Sequence, residues 1–137
     1  MNDVLKLEDN HGCYVCGKDN PHGFRLDFSH PEKGVLRTEV VFRAEHQGYK
    51  NIVHGGMVTM LLDEMMVNLA WIENAPCVTA ELTVRLKKAV RVGERVFFKG
   101  CIERREARAI YASASAKNTS GEVLATAKAT CLRIQRQ

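Results

Sequence analysis

At 137 residues, with 45% hydrophobic and 26% charged positions, the chain has the size of one domain and an ordinary globular balance, which excludes intrinsic disorder and makes a second independent core unexpected. The net charge of +4 is modest and carries no interleaved aromatics, so neither nucleic-acid binding nor an extended polyanion partner is expected. Five unevenly placed cysteines (Cys13, Cys16, Cys77, Cys101, Cys131) do not form the paired framework of a secreted domain, and the opening residues, with Asp3, Glu8 and Asp9, lack the apolar stretch of an export signal, so a reduced cytoplasmic protein is expected.

Residues 1–34 are rich in Gly, Asn, Asp, His and Pro, with turn signals at Asn20-Pro21-His22-Gly23 and His30-Pro31; an irregular N-terminal segment is predicted, holding at most a short strand at Phe24 to Phe28. Cys13-x-x-Cys16 is half of a metal-binding pattern, but no second closely spaced pair completes a tetrahedral set, so it reads as a turn motif and no metal is assigned. Val35 to Phe42 is the first clear strand. His22, His30 and His46 read as exposed loop residues, and Phe24, Tyr49 and Trp71 as packing residues, with Tyr49 and Phe24 also placed to line an acyl pocket.

The long segment Gly56 to Glu73 is apolar on almost every face (Met57, Val58, Met60, Leu61, Leu62, Met65, Met66, Val67, Leu69, Ala70), which predicts a buried helix. A membrane span is rejected because Asp63, Glu64 and Asn68 sit in its middle, where one acidic side chain costs ~3 kcal/mol. Four β-rich runs follow, Val78 to Lys87, Glu94 to Arg105, Ala109 to Asn118 and Glu122 to Ile134, and tight turns such as Asn118-Thr119-Ser120-Gly121 predict an antiparallel meander. The last run places Val123, Ala125, Ala127, Ala129 and Cys131 on one face, a bed of small residues for the helix. The expected class is therefore α+β, a curved antiparallel sheet around one central helix.

The chemistry concentrates at the start of that helix. His54-Gly55-Gly56 puts two glycines where backbone N–H groups are unpaired, a place where the chain approaches a ligand closely and negative charge is stabilised. Asp63 follows His54 by nine positions inside an apolar helix, where a carboxylate needs a partner or a purpose. Glu64 points about 100° away around the helix and is assigned a different role, in structure or along the substrate path. Between Arg85 and Arg108 nine Lys or Arg face only three Glu. Arg85, Lys87 and Lys88 are candidates to hold an anionic group, although a solvated sheet face is the commoner reason for such charge.

Taken together, Cys13-Tyr14-Val15-Cys16-Gly17, His46-Gln47-Gly48-Tyr49, Ile52-Val53-His54-Gly55-Gly56, Leu61-Leu62-Asp63-Glu64 and Val78-Thr79-Ala80-Glu81-Leu82-Thr83-Val84 resemble the hot-dog-fold acyl-CoA thioesterases, in particular the phenylacetate-pathway (PaaI-like) branch of the 4-hydroxybenzoyl-CoA thioesterase superfamily. The resemblance implies a hot-dog fold, a homodimer or homotetramer with sites at the subunit boundary, and hydrolysis of acyl-CoA with no cofactor beyond the coenzyme A of the substrate. It implies that Asp63 is the general base or nucleophile, that Gly55 N–H polarises the thioester carbonyl with support from His54, and that Thr79 reaches the site from a second subunit. Gly56, Gln47, Asn51, Glu64, Arg85, Lys87 and Lys88 are the substrate-binding candidates. Relatives carry Asn or Gln six positions before the motif histidine, where this chain has Gly48, with Gln47 beside it. Two rivals stand beside hydrolysis: a hot-dog hydratase or dehydratase, which would use a histidine base, and a non-catalytic acyl-CoA-binding module.

Overall fold

Alternation along Val35–Val41 buries Leu36, Thr38 and Val40 and leaves Arg37, Glu39 and Val41 in solvent, the pattern of a strand with one covered face. The computed structural model describes residues 7–134; the expectations for residues 1–6, including the missing export signal, lie outside them. In chain order the elements are β1 (Ser29–Glu32), β2 (Val35–Val41), a 3₁₀ turn (Ala44–His46), α1 (Gly55–Ile72), β3 (Cys77–Leu86), β4 (Arg95–Arg105), β5 (Ala109–Lys117) and β6 (Val123–Arg133). They form one six-stranded antiparallel sheet, order β1-β2-β4-β5-β6-β3, with α1 packed across it. This is the hot-dog layout.

Two expectations about strands need correction. Phe24 to Phe28 is not a strand; its backbone donates Phe24 N–H to Tyr14 O and Leu26 N–H to Val15 O, Lys18 Nζ reaches Arg25 O and Leu26 O, and the first strand is the exposed β1 just beyond it. The meander holds for β4, β5 and β6 alone. β4 is already paired on both sides, with Leu36 of β2 opposite Gly100 and Ala114 of β5 on the other flank, so β3 finds its partner at the far edge of β6.

The small-residue face of β6 is borne out: Ala125, Ala127, Ala129 and Cys131 are buried, as are Ala112, Ala114 and Ala116 of β5. Against this bed α1 buries Val58, Leu61, Leu62, Met65, Met66, Leu69 and Ala70. The expectation of a wholly buried helix is too strong, because one sheet covers one side of a cylinder. Met57, Met60 and Val67 are half-buried, and Trp71 and Ile72 reach solvent at 36% and 46% exposure. No helix among the described residues is long and apolar enough to cross a membrane.

Gly100 sets how closely the helix approaches β4. A Cβ there would lie 2.5 Å from the Met65 carbonyl oxygen and 3.2 Å from Met65 Cβ. Backbone cannot step aside as a side-chain tip can, so Gly100→Ala is expected to destabilise the fold by about 1–3 kcal/mol. The measurement is a lower urea midpoint at unchanged denaturant slope. At the other end of α1, Glu73 is only 6% exposed and accepts from Gly34 N–H, His30 (2.7 Å) and Arg105. Burial pushes its carboxyl up, but these three donors outweigh it and hold the group below the usual range. They clamp the β1–β2 turn and the end of β4 to the helix terminus.

Candidate active site

The loop from Arg43 to His54 delivers the helix N-terminus, and a buried histidine organises it. His46 was expected to be exposed; it is 1% exposed, because the 3₁₀ turn drives its ring between Phe24, stacked at 4.4 Å, and the edge of Phe42. Its Nδ1 accepts Arg43 N–H at 3.0 Å, and its carbonyl accepts His54 N–H at 2.9 Å. Burial, with the Arg43 charge beside it, holds the His46 ring below its ordinary pKa, so it stays neutral and keeps accepting. Gln47 Oε1 accepts Asn51 N–H at 3.0 Å, bracing the tight turn in which Asn51 takes φ +64°. Both residues, expected on the substrate path, thus shape the loop.

His54 caps the helix with its ring: Nδ1 accepts Gly56 N–H at 2.8 Å, which places the ring proton on Nε2. The Gly56 donor is therefore engaged within the chain. Gly55 N–H makes no hydrogen bond among the described residues and points out at the positive end of an 18-residue helix. Beside it lies a cavity of about 320 Å³ lined by Tyr49, His54, Gly55, Leu86, Lys87 and Lys88, among others. Tyr49, read as a packing residue, is 86% exposed at its rim. The loop is pinned there by Val53 N–H to Val90 O (2.8 Å), which brings Lys87 and Lys88 alongside. Lys88 pairs with Glu122 at 2.6 Å, both exposed.

Asp63 has a specific partner. The Thr79 hydroxyl donates to its Oδ1 at 2.7 Å, and no Lys or Arg ion pair reaches it among the described residues. Thr79 stands opposite Cys131 on β6. The Cys131 thiol is held below its usual pKa by hydrogen bonding to Cys77 and, against the effect of burial, to Thr79. Thr79, implied by the resemblance to reach the site from a second subunit, meets Asp63 of its own chain, because β3 runs beside the helix. Asp63 and Gly55 are instead the separated pair. Eight residues of helix put them about 12 Å apart along the axis, and Asp63 does not line the cavity at Gly55.

The sequence profile of the thioesterase superfamily matches residues 50–125, more than half of the chain, from the loop before His54 through the first residues of β6. The chain belongs to the thioesterase superfamily. No curated protein matches it. Among solved structures, a thioesterase superfamily protein superposes with TM-score 0.84 at 20% identity over 89% of this chain, which spans 60% of that protein's length. The protein smu.793 of Streptococcus mutans, bound to acetyl CoA, gives TM-score 0.74 at 19% identity over 82% of this chain and 91% of that one. A hypothetical thioesterase of Streptococcus pneumoniae gives 0.77 at 13% identity over 99% of this chain and 99–100% of its own. These two structures of it are alanine variants, one at an aspartate and one at a threonine sixteen positions later.

In this thioesterase superfamily chain the remaining candidates fall elsewhere. Arg85 lies on the outer face of the sheet with Thr83, Lys99 and Lys128, away from Gly55. Glu64 faces Cys13 and Cys16, its carboxyl pushed up by burial and by the Asp63 charge, with the Cys16 hydrogen bond opposing. The Cys16 thiol is raised in turn by burial and by Glu64. Sequence reading missed this contact, and the burial of His46, because both join segments far apart in the chain; the only local signal was a glutamate inside an apolar helix.

Proposed function

We propose that this chain hydrolyses acyl-CoA thioesters at a site assembled from two copies, with Gly55 supplied by one and Asp63 with Thr79 by the other. The observation that carries the reading is the Asp63–Thr79 hydrogen bond, a half-buried carboxylate oriented by a hydroxyl and, among the described residues, in no ion pair with Lys or Arg. The sixteen-residue spacing of this pair equals that of the aspartate and threonine altered in the pneumococcal structures. Asp63 takes a proton from water, or attacks directly, as the acyl carbon becomes tetrahedral. Gly55 N–H, at the helix N-terminus, receives the negative charge that develops on the thioester oxygen, and collapse expels the coenzyme A thiolate. Lys87 and Lys88 are placed for its phosphates. His54 is a poor base for a hydratase, since its Nδ1 is held by Gly56 N–H.

Two copies are required because Gly55 and Asp63 are too far apart in one. β3 supplies a contact surface: it ends the sheet, its outer edge has no strand partner among the described residues, and Leu86 is 55% exposed. The five free thiols support a reducing, cytoplasmic setting, and the catalytic unit is read as one domain. The test is release of free thiol from a panel of aliphatic and aromatic acyl-CoAs. Turnover of at least one is expected; binding of coenzyme A without turnover of any would convert the reading to a non-catalytic acyl-CoA-binding module.

A further inference from the structure

The turn at Cys13 and Cys16 meets the central helix at Glu64. The two Sγ atoms and one carboxylate oxygen all lie within 4.8 Å of one another, and all three residues are half-buried. The turn is shaped around its sulfurs. Cys16 N–H donates to Cys13 Sγ at 3.5 Å, an interaction that favours a thiolate, and Gly17 N–H donates to Cys13 O at 2.8 Å. Gly17 is required for that curl, since a Cβ would lie 2.4 Å from Cys13 N. Among the described residues no Lys or Arg forms an ion pair with Glu64, the one carboxylate of the three groups.

We propose that Cys13, Cys16 and Glu64 bind one zinc ion, which staples the N-terminal segment to the central helix. A tetrahedral site with Zn–S near 2.3 Å and Zn–O near 2.1 Å sets its donors about 3.5–3.8 Å apart. Separations of at most 4.8 Å therefore close with side-chain movements of roughly 1 Å. Two soft sulfurs with one carboxylate select zinc over magnesium or calcium, which take oxygen donors throughout. The cysteines bind as thiolates, so binding releases their two protons, and the divalent ion balances most of the charge of the two thiolates and the carboxylate. Water takes the fourth position. The ion is independent of the proposed hydrolysis, and its role is to fix the turn against the helix one residue from Asp63.

Cobalt(II) is the probe, because its thiolate charge-transfer and tetrahedral d–d bands report the donor set directly. The full chain, reduced, stripped with a chelator and shown to be folded by circular dichroism, is titrated with cobalt(II) and then zinc(II). The expected result is one equivalent per chain, near-ultraviolet thiolate bands, loss of colour on adding zinc, and a higher Tm for the zinc form. Cys16→Ser should lose the thiolate bands, Cys101→Ser should keep them, and Glu64→Gln, nearly isosteric, should weaken binding at least tenfold. Should Cys16→Ser misfold, Glu64→Gln carries the test. Absence of thiolate bands in the reduced, folded protein would overturn the site, as would affinity unchanged in Glu64→Gln or a Cys13–Cys16 disulfide that forms in air even with zinc in excess.

Discussion

Asp63→Asn is expected to lower kcat for acyl-CoA hydrolysis by about 10²–10⁴-fold, the usual contribution of a positioned general base, while the fold survives. Asparagine keeps the size of the side chain and an Oδ1 able to accept from Thr79, so the 2.7 Å contact persists. It removes a half-buried carboxylate that no Lys or Arg among the described residues pairs with, so stability should hold or rise. An amide neither takes a proton from water nor attacks a thioester. The measurement is turnover beside circular dichroism and thermal melting of the same sample; near-normal kcat in a folded variant would remove Asp63 from the mechanism.

The second large effect separates a shared site from a self-contained one. Gly55→Pro deletes the N–H assigned to the thioester oxygen, and it does so where proline is best tolerated, at the first position of a helix. The preceding residue is already compatible: His54 has φ −59° and ψ 131°. The added carbon at the Cβ position meets Leu86 Cδ1 at 2.7 Å, the tip of a half-exposed, flexible side chain that can turn away. Loss of one such donor is expected to cost about 10²–10³-fold in kcat. Mixing Gly55→Pro with Asp63→Asn after dissociation should then restore activity. Half of the dimers carry both variants, and each holds one intact site of two, giving about a quarter of wild-type turnover. The mixture of Asp63→Asn with Thr79→Ala should recover nothing, because those residues meet within one chain. No recovery in the first mixture, with heterodimers verified, would sink the shared site.

Periodicity carried much of this structure. A strand such as Val35–Val41 and the helix Gly55–Ile72 follow from where apolar residues recur within a few positions, and those signals are local. The site's ingredients were legible for the same reason. Gly55 at a helix start and Asp63 inside an apolar run are each anomalous against their immediate neighbours.

What lay beyond the sequence depends on segments that meet only after folding. The placement of β3 outside β6 was settled by competition, since β2 and β5 occupy both edges of β4. His46 looks like an ordinary loop histidine until Phe24 and Phe42 close around it. Glu64 is an acid inside an apolar helix with no visible partner until the turn at Cys13 and Cys16 packs against it. Thr79 could not be assigned to the right partner from its spacing, because sixteen residues do not say whether a strand returns beside its own helix or beside another chain's. The residue types and local periods of the sequence determined a central helix, its strands and a carboxylate in need of a purpose; tertiary packing alone decided which groups face one another, because pairing across the sheet and against the helix is a property of the whole chain's competition for edges and faces.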